Sequence, residues 1–167
     1  AEPERGDIIV SRLPKNPRID YIKRLIALPG DTVQLRDGLV YINGELLPRS
    51  PLDGWVDTDE KSTTIKPIPR FRETLPEGKS IDILKEHAHI SADDTRVYIV
   101  PKGHYFFMGD NRDNSTDSRF PEVGMVPEQN LVGRAEMIFF SVDGSGSLLN
   151  PFSWPSSLRY DRFFTML

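Results

Sequence analysis

The chain of 167 residues contains no cysteine, which excludes disulfide bonds, thiolate metal sites and a thiol nucleophile. Its apolar runs, such as residues 138–140, are far shorter than the roughly 20 residues that cross a bilayer as a helix. Neither sign of charge dominates, because 21 basic and 25 acidic residues are interspersed, so the composition does not indicate a nucleic-acid partner. A chain of this length is expected to hold one sizeable core.

The residues that are present predict a mainly β fold. Apolar and β-branched segments bounded by turn residues predict strands over Ile8 to Val10, Ile19 to Leu28, Arg96 to Val100, His104 to Met108 and Leu131 to Val142. The pairs Asp37-Gly38 and Asn43-Gly44 predict two tight hairpin turns, and with them a three-stranded meander.

The domain organisation is expected to be a core with an insertion. Prolines and charged residues with weak periodicity fill residues 48–94, which predicts an inserted subdomain or an extended loop region. Residues 1–47 and 95–167 would then form the core. Aromatic residues near the end of the chain, among them Trp154 and Phe163, indicate either a strand packed on the core or a surface that rests on lipid.

One lysine stands in an apolar row. If Ile19 to Leu28 is a strand, alternation puts Ile19, Tyr21, Lys23 and Leu25 on one face. Burial would disfavour the charged ammonium and make Lys23 a usable general base for a serine hydroxyl. The other interpretation is that Lys23 extends its amine to solvent and stays charged.

A polar loop between two predicted strands offers a partner for this lysine. Residues 109–119 contain acidic, amide, hydroxyl and arginine side chains able to fold the loop on itself. Ser115 could then orient a catalytic amine while Asp117 and Arg119 brace the loop; a solvated connection between strands explains the same composition.

Asp113, Ser115 and Asp117 follow EF-hand spacing, but Ser118 stands where that loop needs glycine. His87 and His89 are interpreted as surface residues, and no metal site is expected.

Several segments together resemble the signature boxes of bacterial type I signal peptidases, also called leader peptidases. They occur in the family's order and cover both ends of the core: residues 5–10, 21–24, 28–31, 108–119, 120–127 and 130–134. The resemblance implies a mainly β catalytic domain with an antiparallel sheet core and a variable β-rich or irregular insertion. It also implies a membrane-associated serine endopeptidase that removes N-terminal signal peptides from exported preproteins by a Ser/Lys dyad, without a cofactor.

The resemblance carries roles to particular residues. It implies that Lys23 is the general base and that Ser115 orients its amine. Supporting positions fall on Arg24, Asp110, Asp117 and Arg119. The segment Asp20-Tyr21-Ile22 matches the strand against which the preprotein lies extended. The implied location is the bacterial inner membrane, with the catalytic domain on the periplasmic side and lipid contacts made through an N-terminal anchor outside this sequence.

One departure concerns the nucleophile. The family's nucleophilic serine lies in a Ser-x-x-Pro box before the strand that begins at Ile8, and residues 1–5 contain no serine. Ser11 is a poor substitute because it lies inside that strand. We therefore expect that the nucleophile is not in this chain and that the chain as given is inactive. Two alternatives stay open: a self-cleaving Ser/Lys protease of the repressor type, and a catalytically silent β-rich binding domain.

Overall fold

A computed structural model of the protein describes residues 2–55, 67–135, 137–138 and 165–166. Residues 136 and 139–142 of the predicted strand 131–142, and the aromatic tail, lie outside these residues. Among the described residues the strands are, in chain order, β1 (Ile8–Leu13), β2 (Asn16–Ala27), β3 (Thr32–Arg36), β4 (Leu39–Ile42), β5 (Glu45–Leu46), β6 (Arg49–Trp55), β7 (Ile68–Thr74), β8 (Ser80–Leu84), β9 (Tyr98–Ile99), β10 (His104–Met108), β11 (Val126–Pro127), β12 (Leu131–Arg134), β13 (Met137–Ile138) and β14 (Thr165–Met166). Two short 3₁₀ turns occur at Ser91–Asp93 and Glu128–Asn130. The prediction of a mainly β protein is confirmed.

The largest unit, Ala1–Asp57 with Ile65–Arg134, contains three antiparallel sheets. The five-stranded sheet has the order β11-β10-β2-β1-β12, the four-stranded sheet β5-β4-β3-β9, and the three-stranded sheet β6-β7-β8. A second unit is described only through the antiparallel pair of β13 and β14. No helix in the described ranges is long and apolar enough to cross a membrane.

Alternation along β2 and β10 divides the core into two clusters. Ile26 and Phe106 belong to one cluster, which also takes in side chains from β3, β4 and β8, whereas Leu25 and Phe107 belong to the other with Ile9. Adjacent strand residues point to opposite faces, so one pair of strands supplies both clusters. Burying each phenylalanine contributes about 1.5–3 kcal/mol to folding. The central strands are therefore fixed on both faces, and the site is built on them.

Both predicted hairpin turns are confirmed. Asp37 and Gly38 connect β3 to β4 with φ of 49° and 72°, and Asn43 and Gly44 connect β4 to β5 with φ of 54° and 82°. Positive φ at both central residues defines the turn type that matches the twist of the paired strands. Asparagine, aspartate and glycine tolerate this conformation best, which is why the dipeptides predict the turns.

Two strand predictions differ in detail from the structure. The expected strand 96–100 is reduced to β9, Tyr98–Ile99, because only these two residues pair with β3. Ile19, expected in the apolar row of Lys23, is 42% exposed. It lies where β2 extends beyond its pairing with β10, so its side chain has no apolar face to cover.

Within residues 48–94, the described parts 48–55 and 67–94 contain three strands where the sequence shows only weak periodicity. β6, β7 and β8 make an antiparallel sheet, and Leu75, Ile81 and Ile83 belong to the same buried cluster as Ile26. Polar pairs such as Arg72–Asp82 occupy positions directly opposite each other on the exposed face, which hides the alternation in the sequence. The assignment of this segment as an insertion stays a prediction.

We predict that Gly38→Ala destabilises the protein more than Gly44→Ala. Both positions have positive φ, which alone costs a residue with a Cβ about 1–2 kcal/mol. A Cβ at Gly44 would meet nothing within 4 Å, whereas one at Gly38 would lie 3.1 Å from Lys85 Cε and 3.2 Å from Asp93 Oδ1. Urea unfolding measures both free energies, and equal losses would contradict this account of the Gly38 contacts.

Candidate active site

Lys23 lies on β2, the central strand of the five-stranded sheet. It is opposite Ile9 of β1, so the two side chains share a face with Tyr21 and Leu25. Leu25 is fully buried, Tyr21 packs against the same apolar cluster, and Lys23 itself is half-buried. The lysine Nζ lies 5.4 Å from the centre of the Tyr21 ring. The amine is thus held over apolar groups by regular strand geometry.

The loop that follows β10 brings a hydroxyl to this amine. In what we call the site loop, residues 109–119, Ser115 lies with its Oγ 3.0 Å from Lys23 Nζ, which donates the hydrogen bond. Gly109 makes this approach possible, because a Cβ at that position would overlap both Cβ and Oγ of Ser115. The structure therefore brings together the two residues for which the sequence predicts joint chemistry, across 92 positions of the chain.

The surroundings of Lys23 shift its protonation equilibrium toward the neutral amine. Burial lowers the pKa of Lys23 below its ordinary value of 10.5; the negative charges of Asp117 and Asp110 oppose this shift, and the Arg119 charge adds to it. The net direction is downward because desolvation of the ammonium outweighs the two carboxylates. A neutral amine that donates one hydrogen bond to Ser115 still has a lone pair with which to accept a proton.

A buried ion pair closes the site loop. The guanidinium of Arg119 donates to both carboxylate oxygens of Asp117 at 2.8 Å, and neither side chain is exposed. Asp117 also accepts the backbone N–H of Gly109 at 2.9 Å. Arg119 reaches the carbonyl of Arg112 at 2.9 Å. These bonds join the start, middle and end of the loop, so the position of Ser115 is set by a network with low freedom.

A second pair anchors the loop to β2. Arg24, on the face opposite Lys23, donates from Nε and Nη2 to the two oxygens of Asp110, each at 2.7 Å. Its Nη1 donates to the carbonyl of Gly6 at 2.7 Å. Arg24, which follows Lys23, therefore binds Asp110, which follows Gly109. This ion pair fixes the position of the loop relative to β2.

An open cleft of about 320 Å³ borders the lysine. It is lined by Ile8, Ile22, Lys23, Arg24, residues 109–111, Asn114 and Ser115. Pairing between β2 and β10 ends at Arg24 and Met108, so in the described part of the chain the β10 side of residues 16–23 has no neighbouring strand. Ile22 is 63% exposed and Asp20 is also exposed. An unpaired strand edge beside a cleft can accept an extended peptide as an additional strand.

Other serines near the sheet are placed differently. Ser118 begins the sequence Ser-Arg-Phe-Pro, but it is 2% exposed and its Oγ accepts the N–H of Phe107 at 2.9 Å. Ser11 is 3% exposed within β1. Neither hydroxyl is accessible to a substrate carbonyl.

The histidine side chains lie at the surface. His87 and His89 are 61% and 58% exposed. Ligand atoms of His89, Asp37 and Asp94 lie within 4.8 Å of one another, and all three residues are exposed. Such exposed groups meet at many protein surfaces without an ion, and none of these three residues lines the cleft beside Lys23.

Three buried residues that hold the site loop escape sequence reasoning. Glu73, Arg112 and Lys85 are 1%, 2% and 8% exposed. Arg112 lies in the site loop and pairs with Glu73 of β7, and Lys85 pairs with Asp113. Glu73 and Lys85 belong to a segment with weak periodicity, where charged residues look like surface. The only local sign of these ion pairs in the sequence is the close spacing of opposite charges at Asp110, Arg112 and Asp113.

A half-buried lysine amine bonded to a serine hydroxyl beside an open strand edge is an arrangement suited to base-assisted hydrolysis of a peptide. The sequence matches the model of the family described as "Signal peptidase, peptidase S26" over residues 1–140, and the chain belongs to this family. The resemblance of its sequence motifs to those of type I signal peptidases is thereby confirmed.

Individual relatives agree with this membership. The chain is 41% identical to signal peptidase I of Rickettsia typhi and 38% identical to that of Rickettsia bellii, with 99% of the chain aligned in both cases. It spans 66% and 60% of the length of these two relatives. A crystal structure of a signal peptidase I from Enterococcus faecalis is 31% identical, with a TM-score of 0.48 over 81% of this chain and 97% of that one.

We predict that Gly109→Ala raises the pKa of Lys23 toward its ordinary value. The added Cβ overlaps Ser115, so the loop has to withdraw and the amine becomes better hydrated. Lysine side-chain NMR titration, with the Lys23 signal assigned through Lys23→Arg, measures the shift. Gly133→Ala is the matched control, because a Cβ there meets nothing within 4 Å. An unchanged Lys23 titration in Gly109→Ala would contradict the role given to the glycine.

Proposed function

We propose that the protein removes N-terminal signal peptides from exported preproteins, with Lys23 as the general base. The observation that carries this proposal is the half-buried Lys23 amine 3.0 Å from Ser115 Oγ, in a chain that belongs to the signal peptidase family. Burial lowers the pKa of Lys23, which increases the fraction of neutral amine near physiological pH.

The chemistry proceeds in two steps. Neutral Lys23 takes the proton of a serine hydroxyl while the serine oxygen attacks the scissile carbonyl carbon. The resulting ammonium then gives that proton to the leaving amine, and an acyl-enzyme is left. Lys23 next takes a proton from water, whose oxygen attacks the ester, and the serine leaves with the proton. In both steps Ser115 accepts a hydrogen bond from the amine and fixes its direction.

The nucleophile in this proposal is the serine of a Ser-x-x-Pro box that precedes β1 in the natural gene product. Among the described serines, Ser115 is the one bonded to Lys23, while Ser11 and Ser118 are buried. Ser115 accepts the lysine hydrogen bond, which suits an orienting residue. The proposal therefore separates the two serine roles, and mutation of Ser115 tests that separation.

Substrate binding is proposed along the open edge of β2. The preprotein would lie extended beside Asp20, Tyr21 and Ile22 and form main-chain hydrogen bonds with the strand. Exposed Ile22 and half-buried Ile8 line the cleft and offer apolar contacts to small side chains next to the scissile bond. We further propose that the protein resides at the bacterial inner membrane with this domain on the periplasmic side, held by an N-terminal anchor.

We predict that Lys23→Ala abolishes preprotein cleavage by the natural gene product, whereas Ser115→Ala lowers kcat by roughly 10- to 100-fold, because an orienting hydroxyl contributes less than the base. Gel-based cleavage of a preprotein measures both effects. Gln34→Ala, away from the cleft, serves as the control. Activity in Lys23→Ala would refute the base assignment. A complete loss in Ser115→Ala together with covalent labelling of Ser115 would make that serine the nucleophile.

We also predict that kcat/KM rises with pH along its acid limb, because only neutral Lys23 accepts a proton. Since burial lowers the pKa of Lys23 below 10.5, the limb should level off at lower pH than an ordinary lysine would give. A pH–rate profile of the wild-type protein measures the midpoint. A rate that falls as pH rises through neutrality would exclude a neutral amine as the base.

A further inference from the structure

The strand pair β7–β8 makes direct contact with the site loop. Backbone hydrogen bonds join the end of β8 to the loop: the N–H of Leu84 donates to the carbonyl of Asp110, and the N–H of Arg112 donates to the carbonyl of Leu84, each at 2.9 Å. Leu84 and Asn111 thereby form a parallel bridge. The first part of the site loop thus runs as a short added strand beside β8.

A buried carboxylate of β7, Glu73, binds an arginine of the site loop. Glu73 is 1% exposed and accepts hydrogen bonds from Arg112 at 3.0 and 2.5 Å and from Arg49 at 2.6 Å. Burial by itself would raise the pKa of Glu73, but the charges and hydrogen bonds of Arg112 and Arg49 outweigh it and hold this pKa below its ordinary value. Glu73 is therefore ionised near neutral pH, and a buried loop arginine is bound to it.

The next loop residue is held by the opposite charge. Lys85 follows β8, is 8% exposed, and donates to Asp113 at 2.5 Å, while Asp93 lies 2.9 Å away and the carbonyl of His87 accepts at 2.8 Å. Asp113 also accepts the backbone N–H of His87 at 2.7 Å. Two consecutive loop residues, Arg112 and Asp113, are thus bound by side chains from one segment.

In the chain, Arg112 and Asp113 lie between the two loop residues that contact β2. Asp110, bonded to Arg24, precedes Arg112 by two positions, and Ser115, bonded to Lys23, follows Asp113 by two. A shift of Arg112 and Asp113 would move both. Catalysis by positioned groups is sensitive to displacements of about 1 Å, which cost up to roughly 100-fold in rate.

We propose that Glu73 and Lys85 are positioning residues that hold the site loop so that Ser115 meets the Lys23 amine. The catalytic consequence rests on the proposed function; the effect on the Lys23 amine does not. Segment 67–85 then has a defined task in the site, although neither residue touches the cleft. Glu73 acts through Arg112, and Lys85 acts through Asp113.

The test uses Glu73→Gln and Lys85→Met, with Arg72→Gln as the matched control. Arg72 adjoins Glu73 on β7 but points to the exposed face, where it pairs with Asp82. Lysine side-chain NMR of the 167-residue chain gives the Lys23 titration without any need for activity. We expect the pKa of Lys23 to rise in both test variants, because the loop withdraws, and to stay unchanged in the control.

The sign of the shift in Glu73→Gln separates positioning from direct electrostatics. Loss of a negative charge would by itself lower the pKa of a lysine, whereas loop withdrawal raises it. Lys85→Arg is the conservative variant and should restore the wild-type titration, because arginine keeps the charge and the reach to Asp113. A wild-type Lys23 titration in a folded Glu73→Gln or Lys85→Met protein would overturn the proposal. If Glu73→Gln fails to fold, Asp113→Asn decides: it removes the loop partner of Lys85, and its lost negative charge would by itself lower the pKa of Lys23, whereas loop withdrawal raises it.

Kinetics on the natural gene product give the second readout. We expect kcat to fall about 10- to 100-fold in Glu73→Gln and Lys85→Met while KM changes by less than about 2-fold, because the strand edge that binds the substrate is untouched. An unchanged kcat in both folded variants would overturn the positioning role. Absence of cleavage by the wild-type protein would instead refute the proposed function, and the titration would still decide whether Glu73 and Lys85 position the amine and hydroxyl.

Discussion

The carboxylate of Asp117 is the group on which the site depends. It lies in a fully buried position, accepts two hydrogen bonds from the Arg119 guanidinium and a third from the N–H of Gly109, and so joins both ends of one loop. Removing a partner would leave a charge without compensation in a place that water does not reach, which is far costlier than losing an exposed pair. This carboxylate therefore fixes the two ends of the loop, between which Ser115 lies.

The groups that surround Lys23 determine the pKa of its amine. Regular pairing of β2 with β1 and β10 keeps Lys23 over Ile9 and Leu25, and the loop covers it from the other side. Neutral amines are favoured where water is scarce, yet the nearby negative charge of Asp117 pulls in the opposite direction. Because the Asp117 charge is already compensated by Arg119, desolvation decides the outcome. The pair that shapes the loop thus also limits how strongly its carboxylate stabilises the ammonium.

Buried charge extends beyond this pair into the sheet formed by β6, β7 and β8. Glu73 and Lys85 each form an ion pair with a loop residue. A buried ion pair adds little to stability in general, because the cost of desolvating its charges offsets their attraction. Apolar contacts alone would let the loop settle in several related positions, since they lack direction. Directional bonds from a neighbouring sheet select one of them.

Local patterns in the sequence determined the mainly β character, the two glycine turns, the apolar row around Lys23 and the family of the chain. Strand alternation and turn chemistry act between near neighbours, so they can be recognised without a structure, and the position of Lys23 beside Leu25 follows from them. Tertiary structure alone decided that Ser115 lies 3.0 Å from Lys23, that Ile19 is exposed, and that Glu73 and Lys85 hold the site loop. These facts depend on strand order and register between segments far apart in the chain, and a charged residue in a weakly periodic segment carries no local sign that its partner is buried.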